Sequence, residues 1–408
     1  MTPEHTDQAQ RIFMILDSVY PALGGGGAEA QVGTLSRWFS RHGVPCTIVA
    51  PMVPWGSQQA TERDGDVEII RLRYPRIPLF GGLILQLRLI SLLCRRRHQI
   101  RALHCHIANN MAVTTAIANR FLKKNMLVKL TGNTELNGGI LAEHPSVIMR
   151  LKRRLLKPAM MQAISHMLAK RLMQAGFEAT RIFQIPNAVD TQRFEHSPAA
   201  RRQARETRYP DEELVMVYVG RLEREKGVDL LLDAWADAFR PDQRVRLVLV
   251  GSGSLQAELE SQTKARGCAH QIHFMGQSLD VAQHLAAADV GVLTSYAEGL
   301  SNTLLESMAA GLPMIGSRVS GTEDFIESSV NGWLFPPGDR PALVECLRTA
   351  HLLGHDRLAD MGEIARQRVQ AKASIPAVAR QLMHLYGPAP SSSGADASAP
   401  NDPDTIKP

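Results

Sequence analysis

Cysteine is scarce and scattered in this 408-residue chain: five residues, at 46, 94, 105, 268 and 346, with no CxxC pair. That pattern speaks against a zinc knuckle and against a disulfide framework, and points to a reduced, cytoplasmic setting. Long uninterrupted apolar runs are also lacking. The nearest approach, "IPLFGGLILQLRLISLLC" at 77–94, contains Gln86 and Arg88 and runs into Arg95, Arg96 and Arg97. A charge in mid-segment argues for a surface or core helix rather than a membrane span. The start, "MTPEHTDQAQRIFMILDS", lacks the basic and apolar regions of a signal peptide. Aromatic residues do not interleave the basic clusters and no nucleic-acid motif is visible, so nucleic acid is not an expected partner.

What is present is a chain of 44% apolar and 21% charged residues, long enough for two domains. Charge is divided unevenly. Residues 1–190 hold 24 Lys/Arg against 12 Asp/Glu, and residues 191–408 hold 22 against 28. The basic clusters are Arg71/Arg73/Arg76, Arg95–Arg97, Lys123/Lys124 and Lys152/Arg153/Arg154/Lys157. They read either as solubilising surface or as attraction to anionic phospholipid headgroups.

Short apolar runs alternate with longer amphipathic ones, first from "RIFMILDS" to "RIFQIPN" and again from "LVMVYVG" onward. Such alternation predicts parallel sheets covered by helices on both faces, built twice. The expected fold is α/β, with two Rossmann-like doubly wound domains facing across a cleft, where ligands bind beyond the carboxyl ends of the strands. The expected divisions are 1–189, 190–372, a helix at 373–388 returning towards the first domain, and a structureless tail at 389–408.

The stretch "TSYAEGLSNTLLESMAAGLPMIGS", 294–317, carries the most chemistry. A strand ends near Ser295, Ser301 or Asn302 caps a helix, and Gly311 with Pro313 stops it. The amides of Gly299, Leu300, Ser301, Asn302 and Thr303 then lie at a positive helix start suited to a diphosphate. Glu306, one turn inside, can accept hydrogen bonds from vicinal hydroxyls, and Glu298 lies where a sugar beyond the phosphates would sit. "VGRLEREKG" places Arg221 and Lys226 just after a strand, where two cations fit a leaving diphosphate; Glu225 is a candidate ion-pair partner. "GGGGAEAQV" permits close backbone approach at Gly24 to Gly27. It is not GxGxxG followed by an acid, so a nicotinamide cofactor is not favoured.

Taken with "ALHCH", "IPNAVDTQRF", "LVLVGSGSLQAELE", "IHFMGQ" and "NGWLFPPGD", these segments resemble the retaining GT-B glycosyltransferases of family 4, from about residue 11 to 386. The resemblance implies transfer of a hexosyl unit from a nucleoside-diphosphate sugar, UDP- or GDP-linked, to a hydroxyl of a glycan or lipid-linked acceptor, with no other cofactor. It implies roles for His106, Arg221, Lys226 and Glu298 at the reacting centre. Donor contacts are implied for Gly25, Gly26, Gly27, Gly253, Gly276, Gly299 to Thr303 and Glu306. His104 is the alternative to His106 by register. The loops 251–254 and 274–277 would line the base. Two departures stand out. The usual NGVD reads Asn187-Ala188-Val189-Asp190, and a strand end often written HG reads Thr131-Gly132. Related GT-A enzymes bind metal through DxD; the matches at 64–66 and 402–404 read as incidental, and two cations in place of a metal imply metal independence. The competing readings are a nucleotide-sugar 2-epimerase, which would need no acceptor, and a nucleotide-sugar-binding protein without activity, which could dispense with Arg221 and Lys226. The expected location is cytoplasmic, either free or peripheral on the inner face of the cytoplasmic membrane.

Overall fold

Apolar runs of four to seven residues, bounded by glycine, proline and polar turns, form two separate sheets. The computed structural model describes residues 10–21, 27–52, 59–75, 77, 80–136, 138–278 and 280–388. The tail at 389–408 and part of the glycine run therefore lie outside the described residues.

The first sheet contains β1 (Arg11–Leu16), β2 (Cys46–Pro51), β3 (Thr61–Asp64), β4 (Val67–Leu72), β5 (Ile100–His106), β6 (Asn125–Lys129), β7 (Met160–Ala163) and β8 (Ile182–Gln184). Their spatial order is β3-β4-β2-β1-β5-β6-β7-β8. All pairings are parallel except that of β3 with β4. The second sheet contains β9 (Leu214–Val219), β10 (Val245–Val250), β11 (Ile272–Gly276), β12 (Val290–Leu293), β13 (Met314–Ser317) and β14 (Gly332–Phe335). It is wholly parallel, in the order β11-β10-β9-β12-β13-β14. The chain is thus two Rossmann-like domains.

Each sheet reverses its winding once, between β1 and β5 in the first and between β9 and β12 in the second. Crevices beyond the strands open at such points. The residues that follow these four strands are Asp17-Ser18, Ile107, Gly220-Arg221 and Thr294-Ser295, so topology gathers these strand-end loops.

The sheets are covered on both faces by helices. One apolar cluster runs through both domains, from Phe13 and Val128 to Val217 and Leu304. A second covers the outer face of the second sheet around Trp235. A third joins β1 and β2 to the helices Gly27–Arg41 and Ile375–Tyr386. The last helix buries Val378, Leu382 and Tyr386 against the first domain, each worth about 1.5–3 kcal/mol of transfer free energy. The chain passes between domains at two adjoining places: Val189 N–H donates to Ala373 O at 2.8 Å, and Ile375 N–H to Val189 O at 3.1 Å.

The segment at 77–94 forms the helix Phe80–Arg95, with Leu85, Leu89 and Leu93 buried and Phe80, Leu83 and Leu87 exposed. Among the described residues no helix is long and apolar enough to cross a membrane. The antiparallel edge strand β3 has no apolar residue facing inward, so no period marks it in the sequence. The "DGD" at 64–66 is the turn of that hairpin.

Candidate active site

A cavity of about 860 Å³ lies between the domains. The second domain contributes Arg221, Lys226, Glu298, Gly299, Leu300, Ser301, Asn302, Thr303 and Glu306 to its wall. Gly27, Glu29, Ile107, Lys129 and Thr131 face them from the first. Of the loops expected near the base, Gly251, Ser252 and Gln277 reach the wall. Gly253 and Gly276 do not, nor does His106; Gly25 and Gly26 lie outside the described residues. Gly253 has a packing reason instead, since a Cβ there would sit 2.2 Å from Leu222 O.

Ser301 caps the helix Asn302–Ala309, its hydroxyl accepting from Leu304 N–H. Asn302 and Thr303 of the first turn line the cavity, and the free amides of a helix start favour an anion. Glu306 is half-buried one turn in. Burial raises its carboxyl above the ordinary value, partly offset by Arg193.

The two cations after β9 differ in setting. Arg221 is exposed and pairs with Glu225 at 2.8 Å. Lys226 is mostly buried and donates to Glu298 at 2.5 Å, while Glu298 also accepts from Ser295 Oγ at 2.8 Å. The loop itself is pinned. Thr294 Oγ1 donates to Lys226 O at 2.9 Å, and Tyr296 N–H to Glu225 O at 3.0 Å. Glu223 accepts from both the amide and hydroxyl of Ser254. Both cations are therefore held before any ligand arrives.

The domains touch across this cavity. A Cβ on Gly299 would lie 2.0 Å from Thr131 O, so only glycine admits the approach. Asn302 Oδ1 accepts from Asn187 Nδ2 at 3.0 Å and from Gln31 Nε2 at 3.2 Å, and Asn187 also donates to Leu300 O at 3.1 Å. Asn187 belongs to the segment that departs from NGVD. Its side chain fastens the interdomain crossing to the helix start, a role that local sequence does not display.

The two histidines of β5 separate clearly. His104 Nδ1 lies 2.6 Å from the Tyr386 hydroxyl and Nε2 lies 3.1 Å from Gln162 Oε1. Gln162 Nε2 donates to Ile185 O, which orients the amide. Nε2 of His104 is then the donor and Nδ1 the acceptor, a neutral ring, consistent with burial pushing its pKa down to about 3. His106 is buried, with no partner for either ring nitrogen among the described residues, and its pKa lies well below the ordinary value for the same reason. The next residue, Ile107, has φ 74° and lines the cavity. A β-branched residue there carries strain of about 1–3 kcal/mol, a feature concentrated at functional sites.

Two supporting residues escape sequence reasoning. Glu135 is buried and accepts from the amides of Ala108, Thr131 and Gly132, tying the ends of β5 and β6 together. Lys129 is buried in the wall with no hydrogen-bond partner for Nζ among the described residues. Among the described residues no group of three or more His, Cys, Asp or Glu could hold a metal ion.

Comparisons with known proteins agree with this architecture. Residues 25–193 match the family described as Glycosyltransferase Family 4, and residues 213–351 match Glycosyl transferases group 1. The chain is 23% identical to the N-acetyl-alpha-D-glucosaminyl L-malate synthase of Bacillus anthracis, over 90% of this chain and 94% of that protein. It is 29% identical to the putative colanic acid biosynthesis glycosyltransferase WcaL of Salmonella typhimurium, over 55% of this chain; that match spans only 56% of WcaL. Among solved structures, Anabaena Alr3699/HepE in complex with UDP superposes with a TM-score of 0.73 at 22% identity, over 91% of this chain and 98% of that one.

Proposed function

Since the chain belongs to the family 4 glycosyltransferases, we propose that it moves a hexosyl unit from a nucleoside-diphosphate sugar to a hydroxyl acceptor, with retention of anomeric configuration and without a metal. The observation that carries this reading is the convergence of Arg221, Lys226, the amides of Gly299–Thr303 and Glu306 on one interdomain cavity. WcaL is described as acting in colanic acid biosynthesis, which favours a lipid-linked or polysaccharide intermediate of a cell-surface glycan as acceptor.

The diphosphate rests on the helix start, with Glu306 accepting from the ribose hydroxyls. As the anomeric bond breaks, the sugar gains oxocarbenium character and the leaving diphosphate gains charge. Arg221, Lys226 and the helix amides stabilise that charge with no metal between them. Glu298, already fixed by Lys226 and Ser295, contacts the sugar hydroxyls. On the other wall the one carboxylate among the described lining residues is Glu29, which accepts from the Ser18 hydroxyl. The leaving phosphate guides the acceptor hydroxyl onto the face it vacates and takes the hydroxyl proton as the acceptor oxygen bonds to the anomeric carbon. Water is limited by domain closure over the donor.

A peripheral site on an anionic membrane fits the first domain. The helix Val147–Leu156 exposes Val147, Ile148 and Leu151 beside Arg150 and Arg154. The helix Asn110–Leu122, which carries exposed Phe121, packs between it and Phe80–Arg95. Exposed apolar side chains ringed by cations suit an interfacial surface. Arg71 and Arg96 do not belong to that surface: Arg71 is buried against Glu62 and Tyr20 O, and Arg96 pairs with Glu68 at 3.1 Å.

A thermal-shift screen over UDP, GDP, ADP and their sugars identifies the donor by mass action. Transfer from the stabilising sugar is then measured with and without EDTA, and the product anomer is read by NMR. Transfer at the wild-type rate by both Glu306→Ala and Lys226→Ala would refute the site, an inverted product would refute retention, and loss of activity in EDTA would refute metal independence.

A further inference from the structure

The strand ends that form the first domain's wall carry a row of polar residues in register. His106 of β5 is paired with Lys129 of β6, and Lys129 with Gln162 of β7. In-register residues of parallel strands share a sheet face. Gln162 is fully engaged by His104 and Ile185 O. Lys129 is not: its Nζ is buried and has no partner among the described residues, and the residue is part of the cavity lining. The two histidines beside it are neutral and supply no counter-charge. Glu29, at the start of the helix Gly27–Arg41 in the same wall, is bonded to Ser18 instead. A buried ammonium with no counter-ion is costly, and a cavity beside it offers the missing partner from a ligand.

We propose that Lys129 is an anion-binding residue of the acceptor-side wall, whose ammonium takes a phosphate oxygen of a substrate bound in the cleft. The inference rests on the nucleotide-sugar reading only for the identity of the phosphate carrier. That carrier is either the donor diphosphate, reached when the domains close, or the phosphate of an acceptor. In both cases the lysine opposes the Arg221 and Lys226 side of the cavity, so phosphate is held from both domains.

The pH dependence isolates this residue. Burial lowers the Lys129 pKa to about 7. The titratable groups packed beside it lie outside the interval from pH 7 to 9: His104 is lowered to about 3, His106 falls well below its ordinary value, and Tyr386 is raised well above its own. The charged groups across the cavity are Glu29, Arg221, Lys226, Glu298 and Glu306. A terminal phosphate completes its second ionisation near pH 6. A ligand phosphate that requires the ammonium must therefore bind more weakly as pH rises from 7 to 9, by up to about tenfold per unit.

The experiment is calorimetric titration at pH 7, 8 and 9 of the full chain, Lys129→Met and Lys129→Arg. One arm uses UDP and GDP. The other uses geranyl phosphate with nucleotide present at saturation. The expected result, in the arm that supplies the phosphate, is an affinity that falls with pH in the wild type. In Lys129→Met it should be at least about tenfold weaker at pH 7 and flat with pH. Lys129→Arg, which keeps its charge throughout, should also be flat but tighter than Met. Equal affinities or parallel pH profiles for wild type and Lys129→Met in both arms would overturn the proposal while leaving the nucleotide site standing. Failure of every phosphate to bind the wild type would overturn both. Melting temperatures are recorded alongside; Met replaces an uncompensated charge with an apolar chain and should not lower them, and Lys129→Gln serves if Met does not fold.

Discussion

Lys226 Nζ lies 2.5 Å from Glu298 Oε1, so the lysine proposed to bind the diphosphate is already paired with the acid proposed to contact the sugar. On that proposal the pair couples two subsites. A diphosphate that draws on the lysine leaves Glu298 freer to accept from sugar hydroxyls, and removal of either partner strands a mostly buried charge. Lys226→Ala should lower the transfer rate on the order of 10²- to 10³-fold. Glu298→Gln keeps the shape but loses the ion pair, and should impair sugar binding more than nucleotide binding. Comparing the affinity for UDP with that for the UDP-sugar in each variant checks this; equal losses for both ligands would contradict the coupling.

Glu306, as the proposed acceptor for the ribose hydroxyls, predicts a pH signature. Its carboxyl is raised above 4.5, the ordinary glutamate value, chiefly by burial. The ionised form accepts from ribose hydroxyls and the protonated form accepts less well, so nucleotide affinity should decline as pH falls through that raised value. The phosphates also titrate on the acid side, and the ratio of wild type to Glu306→Gln cancels their contribution. That ratio should shrink towards acid pH. A constant ratio between pH 4.5 and 7 would show that the carboxylate does not titrate against the ligand.

The clasp of Asn187 with Asn302 and Leu300 O predicts a different phenotype. Asn187→Ala removes a buried donor to two acceptors, worth about 1–3 kcal/mol if they stay dry. Part of the cost should appear as a lower melting temperature. The rest should appear as weaker donor binding, because the helix start loses its link to the crossing between domains. Asn187→Asp places a carboxylate against the acceptor oxygens and should be worse than alanine; an Asp variant that melts above the Ala variant would argue against the hydrogen-bond account.

Much of this arrangement is legible from residues alone, for definite reasons. The alternation of β-branched runs with amphipathic ones marks parallel strands and their covering helices. Ser301, Gly311 and Pro313 mark where one helix begins and ends. These signals are local, and they bring out Arg221, Lys226, Glu298 and Glu306 together. What escapes is tertiary. His104 is engaged by Tyr386, 282 residues away, and neither it nor His106 lines the cavity. Arg96 looks like part of a basic run until Glu68 is seen beside it. Lys129 closes an apolar strand and reads as an ordinary solvated lysine, because nothing nearby in sequence says that the strand end is buried. Its environment is made by neighbouring strands and by a helix from the other end of the chain.

The face formed by the helices Phe80–Arg95, Asn110–Leu122 and Val147–Leu156 leads to the last prediction. Phe121 is 84% exposed and Val147 76%, a poor arrangement in water for side chains that serve only as surface. Cations and apolar groups contribute differently to docking: charge attraction is screened by salt, whereas insertion is not. Replacing Val147, Ile148 and Leu151 with serine should weaken binding to vesicles containing anionic lipid at both low and high salt. Replacing exposed Arg95 and Arg97, while leaving Arg96 with Glu68, should weaken it mainly at low salt. Flotation of each variant with vesicles of neutral and of anionic composition separates the two contributions. Unchanged flotation in both variants would reject this face as the docking surface, and activity on a soluble acceptor should be the same in both, since neither set of residues lines the cavity.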